Sequence, residues 1–289
     1  MPEATHYAVI GYPVEHSLSP KLFTQLFSEF QVSADYRLYP VAPPDLPTAI
    51  VKIRSGKLSG LSVTLPHKRA ICSLVDELDP DSGKIQAVNC VIRLEPGRVR
   101  GCNTDGVGFR RAVESAGPRK ISGTRVLLLG TGGAGRAAAF ACASAGAGHL
   151  TLANRTLERA SQLARDLVGA GSIPSSAVES ISLDPGMVAK ALESADLVVQ
   201  ATRVGLGDSS ADPLPASCHF QKSQVVLEMV YRPLKTALLR RVEAAGGIPI
   251  DGLWMLIHQA LEQFRLWTGR IAPLEMADRL HAFLAAEAP

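Results

Sequence analysis

The residues able to do chemistry are gathered in a few short segments, where small polar side chains are set among apolar ones. They are Gly11-Tyr-Pro-Val-Glu-His-Ser17-Leu-Ser19-Pro20, Gly60-Leu-Ser62-Val-Thr64-Leu-Pro-His67-Lys68, Ala87-Val-Asn89 and Gly101-Cys-Asn103-Thr104-Asp105-Gly106. Paired hydroxyls at a helix start suit a carboxylate, because neutral donors, exposed backbone N–H groups and the helix dipole all favour an anion. Ser17 and Ser19 fit that description. Ser19 followed by Pro20 equally fits a hydroxyl N-cap with proline at the first helical position. Taken singly, Lys68 reads as a surface lysine after a proline and Asp105 as a carboxylate in a turn; only their setting marks them out.

A second signal is Gly130-Thr-Gly132-Gly133-Ala134-Gly135, a G-x-G-x-x-G run directly after an apolar strand and directly before a helix. The first glycine permits the tight turn and the second lets the backbone approach a pyrophosphate. The third allows close packing of helix on strand, and the helix N-terminus faces the phosphate charge. About twenty residues on, an NAD site places Asp or Glu on the ribose hydroxyls. The chain has Asn154-Arg155-Thr156 there instead. A guanidinium at that point can pair bidentately with a 2′-phosphate and stack on adenine. Near a helix start a cation is otherwise mildly disfavoured, so a phosphate partner for Arg155 is the better reading. NADP is the expected cofactor.

These segments need elements to hold them. Apolar strand candidates are His6–Gly11, Asp35–Val41 and Gly60–Thr64, with a helical stripe of Leu22, Phe23, Leu26, Phe27 and Phe30 between the first two. A second series begins at Arg125–Leu129 and continues with an Ala-rich helix over Ala134–Ala145, then a strand at His149–Ala153. A helix capped by Thr156 follows, then strands at Leu197–Ala201, Gln224–Val230 and Gly247–Ile250. Continuous apolar strands alternating with helices predict an α/β protein, with a parallel sheet covered on both faces in this second region. Leu253–Trp267 and Pro273–Ala286 read as two closing helices, and Gly205–Pro215 as a flexible loop.

Composition narrows the function classes. At 289 residues, two domains are expected. An apolar share of 46% with 20% charged residues is that of an ordinary globular protein. A net charge of +3, with no basic run interleaved with aromatics, argues against a nucleic-acid partner. The N-terminal residues lack the apolar core of a signal peptide, and no apolar run approaches the roughly 18 residues that span a bilayer. Cys72, Cys90, Cys102, Cys142 and Cys218 form no Cys-x-x-Cys pair and no His cluster completes a metal site. A cytoplasmic protein with reduced thiols and no metal is expected.

The polar segments resemble the shikimate dehydrogenase family in order and spacing. Its HSxSP, VTxPHK, AVN and NTDG blocks are all recognisable, followed by the glycine loop and the NRT triplet. Tyr231-Arg-Pro233-Leu-Lys-Thr236-Ala-Leu-Leu resembles the family's Y-x-P-x-x-T-x-L-L block, and Gly252-Leu-Trp-Met255-Leu-Ile-His-Gln259 its G-x-x-M-L-x-x-Q helix. The resemblance implies a discontinuous substrate domain, residues 1–105 completed by helices from 253 to 289, around a Rossmann NADP-binding domain over 106–252. It implies that Ser17 and Ser19, with Tyr231, hold the substrate carboxylate. Thr64, Asn89 and Gln259 are then on the ring hydroxyls, and Lys68 with Asp105 forms the catalytic pair. A positioned lysine can accept or return the hydroxyl proton while the aspartate orients it. Gly130, Gly132, Gly133, Ala134, Gly135, Asn154, Arg155, Thr156, Thr202 and Gly252 fall on the cofactor side. The implied reaction is reduction of 3-dehydroshikimate to shikimate with NADPH, a step toward aromatic amino acids; a homodimer is admitted.

The chain departs from the family pattern at several points. Ser62 stands where an asparagine is usual, Phe23-Thr24 where His-Asn is frequent, and Gln200 opens the Asn-Ala-Thr loop. Ser62 bears on the ring-hydroxyl contacts and Gln200 on cofactor placement. A quinate-using or shikimate-dehydrogenase-like paralogue is the nearest alternative. A non-catalytic binding module is disfavoured by intact Lys68, Asp105 and glycine loop, and a folate-type dehydrogenase by the paired serines.

Overall fold

The computed structural model describes residues 5–117, 120–273 and 275–286. The outermost ends of the predicted substrate domain, and one residue of the predicted last helix at position 274, lie outside them. The chain divides into two compact units, Met1–Asp105 with Gln259–Leu284, and Gly106–His258 with Ala285–Pro289.

The first unit contains β1 (Thr5–Gly11), α1 (Ser19–Glu29), β2 (Ala34–Pro40), α2 (Leu46–Arg54), β3 (Gly60–Val63), β4 (Glu77–Leu78), α3 (Pro80–Ile85), β5 (Cys90–Arg93) and β6 (Val99–Cys102). Its sheet runs β2-β1-β3-β5-β6-β4. β1 is parallel to β2 and β3, whereas β5 is antiparallel to both β3 and β6. This register has a functional consequence. The parallel strands β1 and β3 end at the same side of the sheet at which β5 begins and β6 ends, with Ser62 opposite Cys90 and Cys90 opposite Cys102. The chain following β1, the chain following β3, the residue before β5 and the chain following β6 therefore emerge together.

Two apolar layers hold this sheet. One is an aliphatic cluster that includes Ile10, Ile50, Ile53, Leu61, Val63, Ile71, Val88 and Val91. The other is aromatic: Phe23 stacks on Tyr36 at 4.4 Å, Tyr7 on Trp267 at 4.8 Å, and Phe264 lies against Phe27 and Phe30. The start of α1 differs from the sequence expectation. Leu18 is the N-cap and no side chain caps the helix; Ser19 is already helical, and its N–H donates to Ser17 Oγ at 3.3 Å.

In the second unit α4 (Asp105–Ala116) leads to β7 (Arg125–Leu129), α5 (Gly133–Ser144), β8 (His149–Ala153), α6 (Leu157–Gly169) and β9 (Val178–Ile181). There follow α7 (Pro185–Glu193), β10 (Leu197–Gln200), β11 (Val225–Glu228), α8 (Ala237–Ala244), β12 (Ile248–Ile250), α9 (Gly252–Thr268) and α10 (Glu275–Ala285). The sheet order is β12-β11-β10-β7-β8-β9, with every pairing parallel. This is the doubly wound order whose direction reverses between the first and fourth strands, here β7 and β10, the place where such sheets bind ligands. The apolar strands follow from burial on both faces: Leu127, Leu128, Leu152, Val198, Val199 and Val226 have no exposed surface.

Two local readings are corrected here. Thr156 occupies the N-cap position of α6, yet its side chain makes no capping bond; its carbonyl is held by Asn154 Nδ2 at 2.9 Å instead. Gly205–Pro215 carries no strand or helix, but its later half is tied, because Arg241 binds Asp212 at 2.7 Å and the Leu214 carbonyl at 3.1 Å. α9 begins in the second unit and continues from Gln259 in the first.

Candidate active site

At the shared end of the first unit's sheet lies a nearly closed network of side chains. Lys68 Nζ stands 2.6 Å from Asp105 Oδ2, and both side chains are largely buried. The other carboxylate oxygen, Oδ1, accepts from Asn89 Nδ2 at 2.8 Å. The Asp105 backbone N–H donates to Asn103 Oδ1 at 3.0 Å, and Asn103 Nδ2 donates to the Ala87 carbonyl at 2.8 Å. The lysine is placed by its own backbone, whose carbonyl accepts from Val88 N–H at 2.7 Å. A carboxylate held by neutral amides on one side and an ammonium on the other is fixed in orientation before any ligand arrives.

Asn89 organises the centre. Its carbonyl accepts from the Thr104 N–H at 2.7 Å and the Thr104 hydroxyl at 3.2 Å. Its two amide protons go to Asp105 and to Thr104 Oγ1 at 2.9 Å, with Gln259 Oε1 a longer approach at 3.2 Å. Thr64 sits just past β3, where Gly11 makes room for it: a Cβ on Gly11 would meet the Thr64 methyl at 2.5 Å. His67, fully buried, spends its ring on the Val41 carbonyl at 2.7 Å and so pins the turn that carries Lys68. Ser17 and Ser19 are joined by a hydroxyl–hydroxyl bond of 3.1 Å at the same end of the sheet, reached through Tyr12 N–H, which donates to Leu65 O at 3.0 Å.

Sequence reasoning overlooked two members of this network. Gln263 lies one helical turn beyond Gln259, on the same face of α9, and donates to Gln259 Oε1 at 2.7 Å. That spacing was a usable signal. Tyr36, which donates to Ser62 Oγ at 2.6 Å, left no comparable sign, since its partner is 26 residues away.

In the second unit the glycine run folds into the turn after β7. Gly130 has φ +95°, and a Cβ there would meet Thr202 Cγ2 at 2.9 Å, so this position demands glycine. A Cβ on Gly135 would collide with the Gly130 carbonyl oxygen, the close helix–strand approach expected of the third glycine. Gly132, by contrast, is the N-cap of α5 with open space in front. Beside it the Thr131 hydroxyl is buried with no hydrogen-bond partner among the described residues. An orphaned donor next to an open backbone at a helix N-terminus is what an anionic phosphate would satisfy. Arg155 is exposed after β8 and makes no ion pair among the described residues. Gln200 does not face outward. It is fully buried, accepting from Thr202 N–H at 2.7 Å and donating to Val204 O at 3.1 Å, so it shapes the loop that carries Thr202. Gly252 admits α9 close to the end of β11, because a Cβ there would lie 2.7 Å from the Val230 carbonyl.

Near this turn Glu228, at the end of β11, is fully buried. It accepts from Val230 N–H at 3.0 Å and from the Thr236 hydroxyl at 3.3 Å, and burial pushes its carboxyl up to about 8. Tyr231 follows three residues later, half-buried. Among the described residues no cluster of His, Cys, Asp or Glu is placed to hold a metal ion, and no helix is long and apolar enough to cross a membrane.

A doubly wound unit with a glycine turn at its switch point, joined to an α/β unit that gathers a Lys–Asp pair, defines a two-unit dinucleotide-binding protein. Family models agree. Residues 9–91 match the shikimate dehydrogenase substrate binding domain, residues 112–206 the shikimate / quinate 5-dehydrogenase model, and residues 252–275 the shikimate 5′-dehydrogenase C-terminal domain. The chain is 42% identical to the shikimate dehydrogenase (NADP(+)) of Moorella thermoacetica over 274 residues, covering 94% of this chain and 91% of that protein. It is 39% identical to that of Methanopyrus kandleri, covering 95% and 93%. The crystal structure of shikimate 5-dehydrogenase from Thermus thermophilus, in complex with NADP(H) and shikimate, superposes with a TM-score of 0.85 at 36% identity, covering 99% of this chain and all of that one. The chain belongs to the shikimate dehydrogenase family.

Proposed function

We propose that this protein is an NADP-dependent oxidoreductase that reduces 3-dehydroshikimate to shikimate, in the biosynthesis of aromatic amino acids. Family membership and the NADP-dependent relatives support the reaction. The observation that carries the site assignment is the 2.6 Å Lys68–Asp105 pair, locked by Asn89 and Asn103. In this reading residues 1–105 with the C-terminal helices form the substrate domain, and residues 106–252 hold the cofactor.

NADP, when bound, supplies the hydride donor or acceptor. Gly130, Gly132, Gly133, Ala134 and Gly135 would hold its pyrophosphate, while Asn154, Arg155 and Thr156 would hold the adenosine end. Arg155 would pair with the 2′-phosphate. Thr202 and Gly252 are assigned to the nicotinamide side on the family pattern. The chain's own residues handle the substrate and the proton. Lys68 Nζ delivers a proton to the carbonyl oxygen as it becomes a hydroxyl, and in the reverse direction takes it back. Asp105 aims the ammonium through one oxygen and is itself aimed by Asn89 through the other. Ser17 and Ser19 offer hydroxyls to the substrate carboxylate, and Tyr231 joins them on the family pattern. Thr64, Asn89 and Gln259 face the ring hydroxyls. Asn89 engages the substrate only by lending one of the bonds it makes within the protein.

The second reading is preference for quinate, and Ser62, whose hydroxyl is engaged by Tyr36 and Gln263, is the feature to probe. The cytoplasm suits five cysteines of which none forms a disulfide among the described residues, and a homodimer is compatible with the reading. The deciding experiment follows NADP+ reduction with shikimate and quinate in parallel, repeated with NAD+. Turnover with shikimate and NADP+ is the expected result. Turnover with quinate alone shifts the assignment to the second reading, and silence with both acids in a protein that binds NADP+ overturns the proposal.

A further inference from the structure

Tyr36, Ser62 and Gln263 carry no role in the proton transfer or in the substrate contacts of the leading reading, yet they form one buried chain of hydrogen bonds that ends on residues which do. The Tyr36 hydroxyl donates to Ser62 Oγ at 2.6 Å. Ser62 Oγ donates to Gln263 Oε1 at 2.5 Å. Gln263 Nε2 then donates to Gln259 Oε1 at 2.7 Å, with longer approaches to the Asn89 carbonyl at 3.2 Å and Thr104 Oγ1 at 3.4 Å. The three residues come from β2, β3 and α9. Phe23 holds the phenol in place, its ring stacked on Tyr36 at an interplanar angle of 8°. Gln263 is 1% exposed.

Such a chain has a direction. A serine hydroxyl owns a single proton, and Ser62 gives its proton to Gln263 while accepting one from Tyr36. The Gln263 carbonyl must therefore face Ser62, which turns its NH2 toward Gln259. The Gln259 carbonyl in turn receives the Gln263 N–H at 2.7 Å, with Asn89 Nδ2, whose two protons have nearer acceptors in Asp105 and Thr104, at 3.2 Å. With that oxygen turned toward Gln263, the Gln259 NH2 is the end turned away from it. Ser62, its proton committed, can meet a ligand only as an acceptor.

We propose that Gln263 is a positioning residue which, through Ser62 and Gln259, fixes the hydrogen-bonding polarity of the face that reads the ring hydroxyls. Gln259 presents N–H to an acceptor oxygen of the substrate, and Ser62 presents a lone pair to a substrate O–H. The amide that the family pattern carries at position 62 is supplied here from α9. The departures at Phe23 and Ser62 thus belong to one arrangement: the aromatic ring seats Tyr36, and the short serine leaves room for Gln263. This inference rests on the reading of the site as one for a cyclic hydroxy acid.

The test is steady-state kinetics on the whole enzyme, with KM for shikimate and for NADP+ measured separately and a thermal melt for each variant. Gln263→Glu keeps the side-chain shape and the acceptor toward Ser62, but removes both N–H donors. Its KM for shikimate at pH 8 should rise roughly ten- to hundredfold, with KM for NADP+ within about twofold of wild type. The loss should shrink, relative to wild type at each pH, as the pH is lowered toward about 6, because a protonated carboxyl regains one donor. A steric defect has no reason to respond to pH in that way. An unchanged KM for shikimate, or equal rises in both KM values, overturns the proposal. The second arm is compensation. Gln263→Ala alone should lose activity on shikimate, and Ser62→Asn in that background should restore at least about fivefold of kcat/KM, because an amide returns to the vacated space. Losses that simply multiply in the double variant also overturn it. A wild type inactive on shikimate defeats the site reading itself, and the inference with it. An active wild type beside an indifferent Gln263→Glu defeats the inference alone.

Discussion

Lys68 and Asp105 are ordinary residues in an unusual setting. Each oxygen of the carboxylate has its own partner, Lys68 on Oδ2 and Asn89 on Oδ1, so the ammonium is held in one place and cannot sweep the surface as lysines generally do. Removing it should therefore cost turnover more than binding. Lys68→Ala is expected to lower kcat about a hundred- to ten-thousandfold, the range for loss of a positioned acid or base, while KM for shikimate changes little. A variant that turns over at wild-type rate would return the protein to the class of binding modules. Arg155 carries a different kind of burden, since it stands exposed and without an ion pair among the described residues, which suits a residue kept for a ligand's charge. Arg155→Ser should raise KM for NADP+ roughly tenfold or more, the worth of one charge-assisted hydrogen bond, and leave KM for NAD+ nearly unchanged. Parallel titrations with the two cofactors would expose a purely structural role as an equal effect on both.

Elements explain which of these residues could be read in advance. The glycine turn was readable because its determinants are local: a strand, three glycines and a helix within a dozen residues, the first and third glycines serving contacts that a Cβ would obstruct. Most of the parallel second sheet was readable for the same reason, five of its six strands lying in apolar runs; β9, with Glu179 and Ser180 at its centre, was not. The β5–β6 pair was missed, being two four-residue strands whose pairing with β3 is set by register and not by composition. The Ser62–Gln263 bond spans 201 residues, and no periodicity reports on a partner so distant. Ser19 illustrates the opposite error, a correct local signal overridden when Leu18 became the cap. Glu228 was likewise invisible, a lone acid inside an apolar strand, yet it ties the end of β11 to α8. It accepts from Thr236, whose hydroxyl also accepts from the Leu239 N–H at 3.2 Å to cap that helix. Burial raises its carboxyl to about 8 in the folded protein, far above an unfolded glutamate. The folded state thus binds a proton that the unfolded state has lost, and the contribution of this group to stability falls as pH rises from about 5 to about 8. Glu228→Gln removes that dependence. Its melting temperature should match wild type near pH 5 and exceed it near pH 9, by an amount corresponding to a few kcal/mol at most. A difference between the two melts that stays constant with pH would show that Glu228 does not titrate in this interval.

For the molecule as a whole, the decisive feature is that the first unit is made from two distant stretches of chain. Residues 1–105 supply its sheet, but Gln259–Leu284 supply Gln259, Gln263, Phe264 and Trp267. Phe264 is fully buried, and Trp267 stacks on Tyr7 and donates from Nε1 to the Val91 carbonyl at 3.2 Å. Gly60 must be glycine for that indole to fit, since a Cβ there would collide with it. Loss of the C-terminal stretch would strip the aromatic layer from one face of the sheet. Large-to-small changes at single buried aromatics cost about 3–5 kcal/mol, against a total stability of about 5–15 kcal/mol for a domain, so removing Phe264 and Trp267 together should unfold the first unit. The doubly wound sheet of the second unit contains none of those residues. A chain ending at His258 should consequently still bind NADP+, with an affinity near that of the full protein, while losing all binding of shikimate. Calorimetric titration with each ligand separates the cases. If the shortened chain loses both ligands together, the second unit depends on the first for its own folding, and the two are one cooperative body. If it keeps NADP+ alone, the substrate half is an assembly completed only when the end of the chain arrives, and the residues that read the ring hydroxyls are among the last to be put in place.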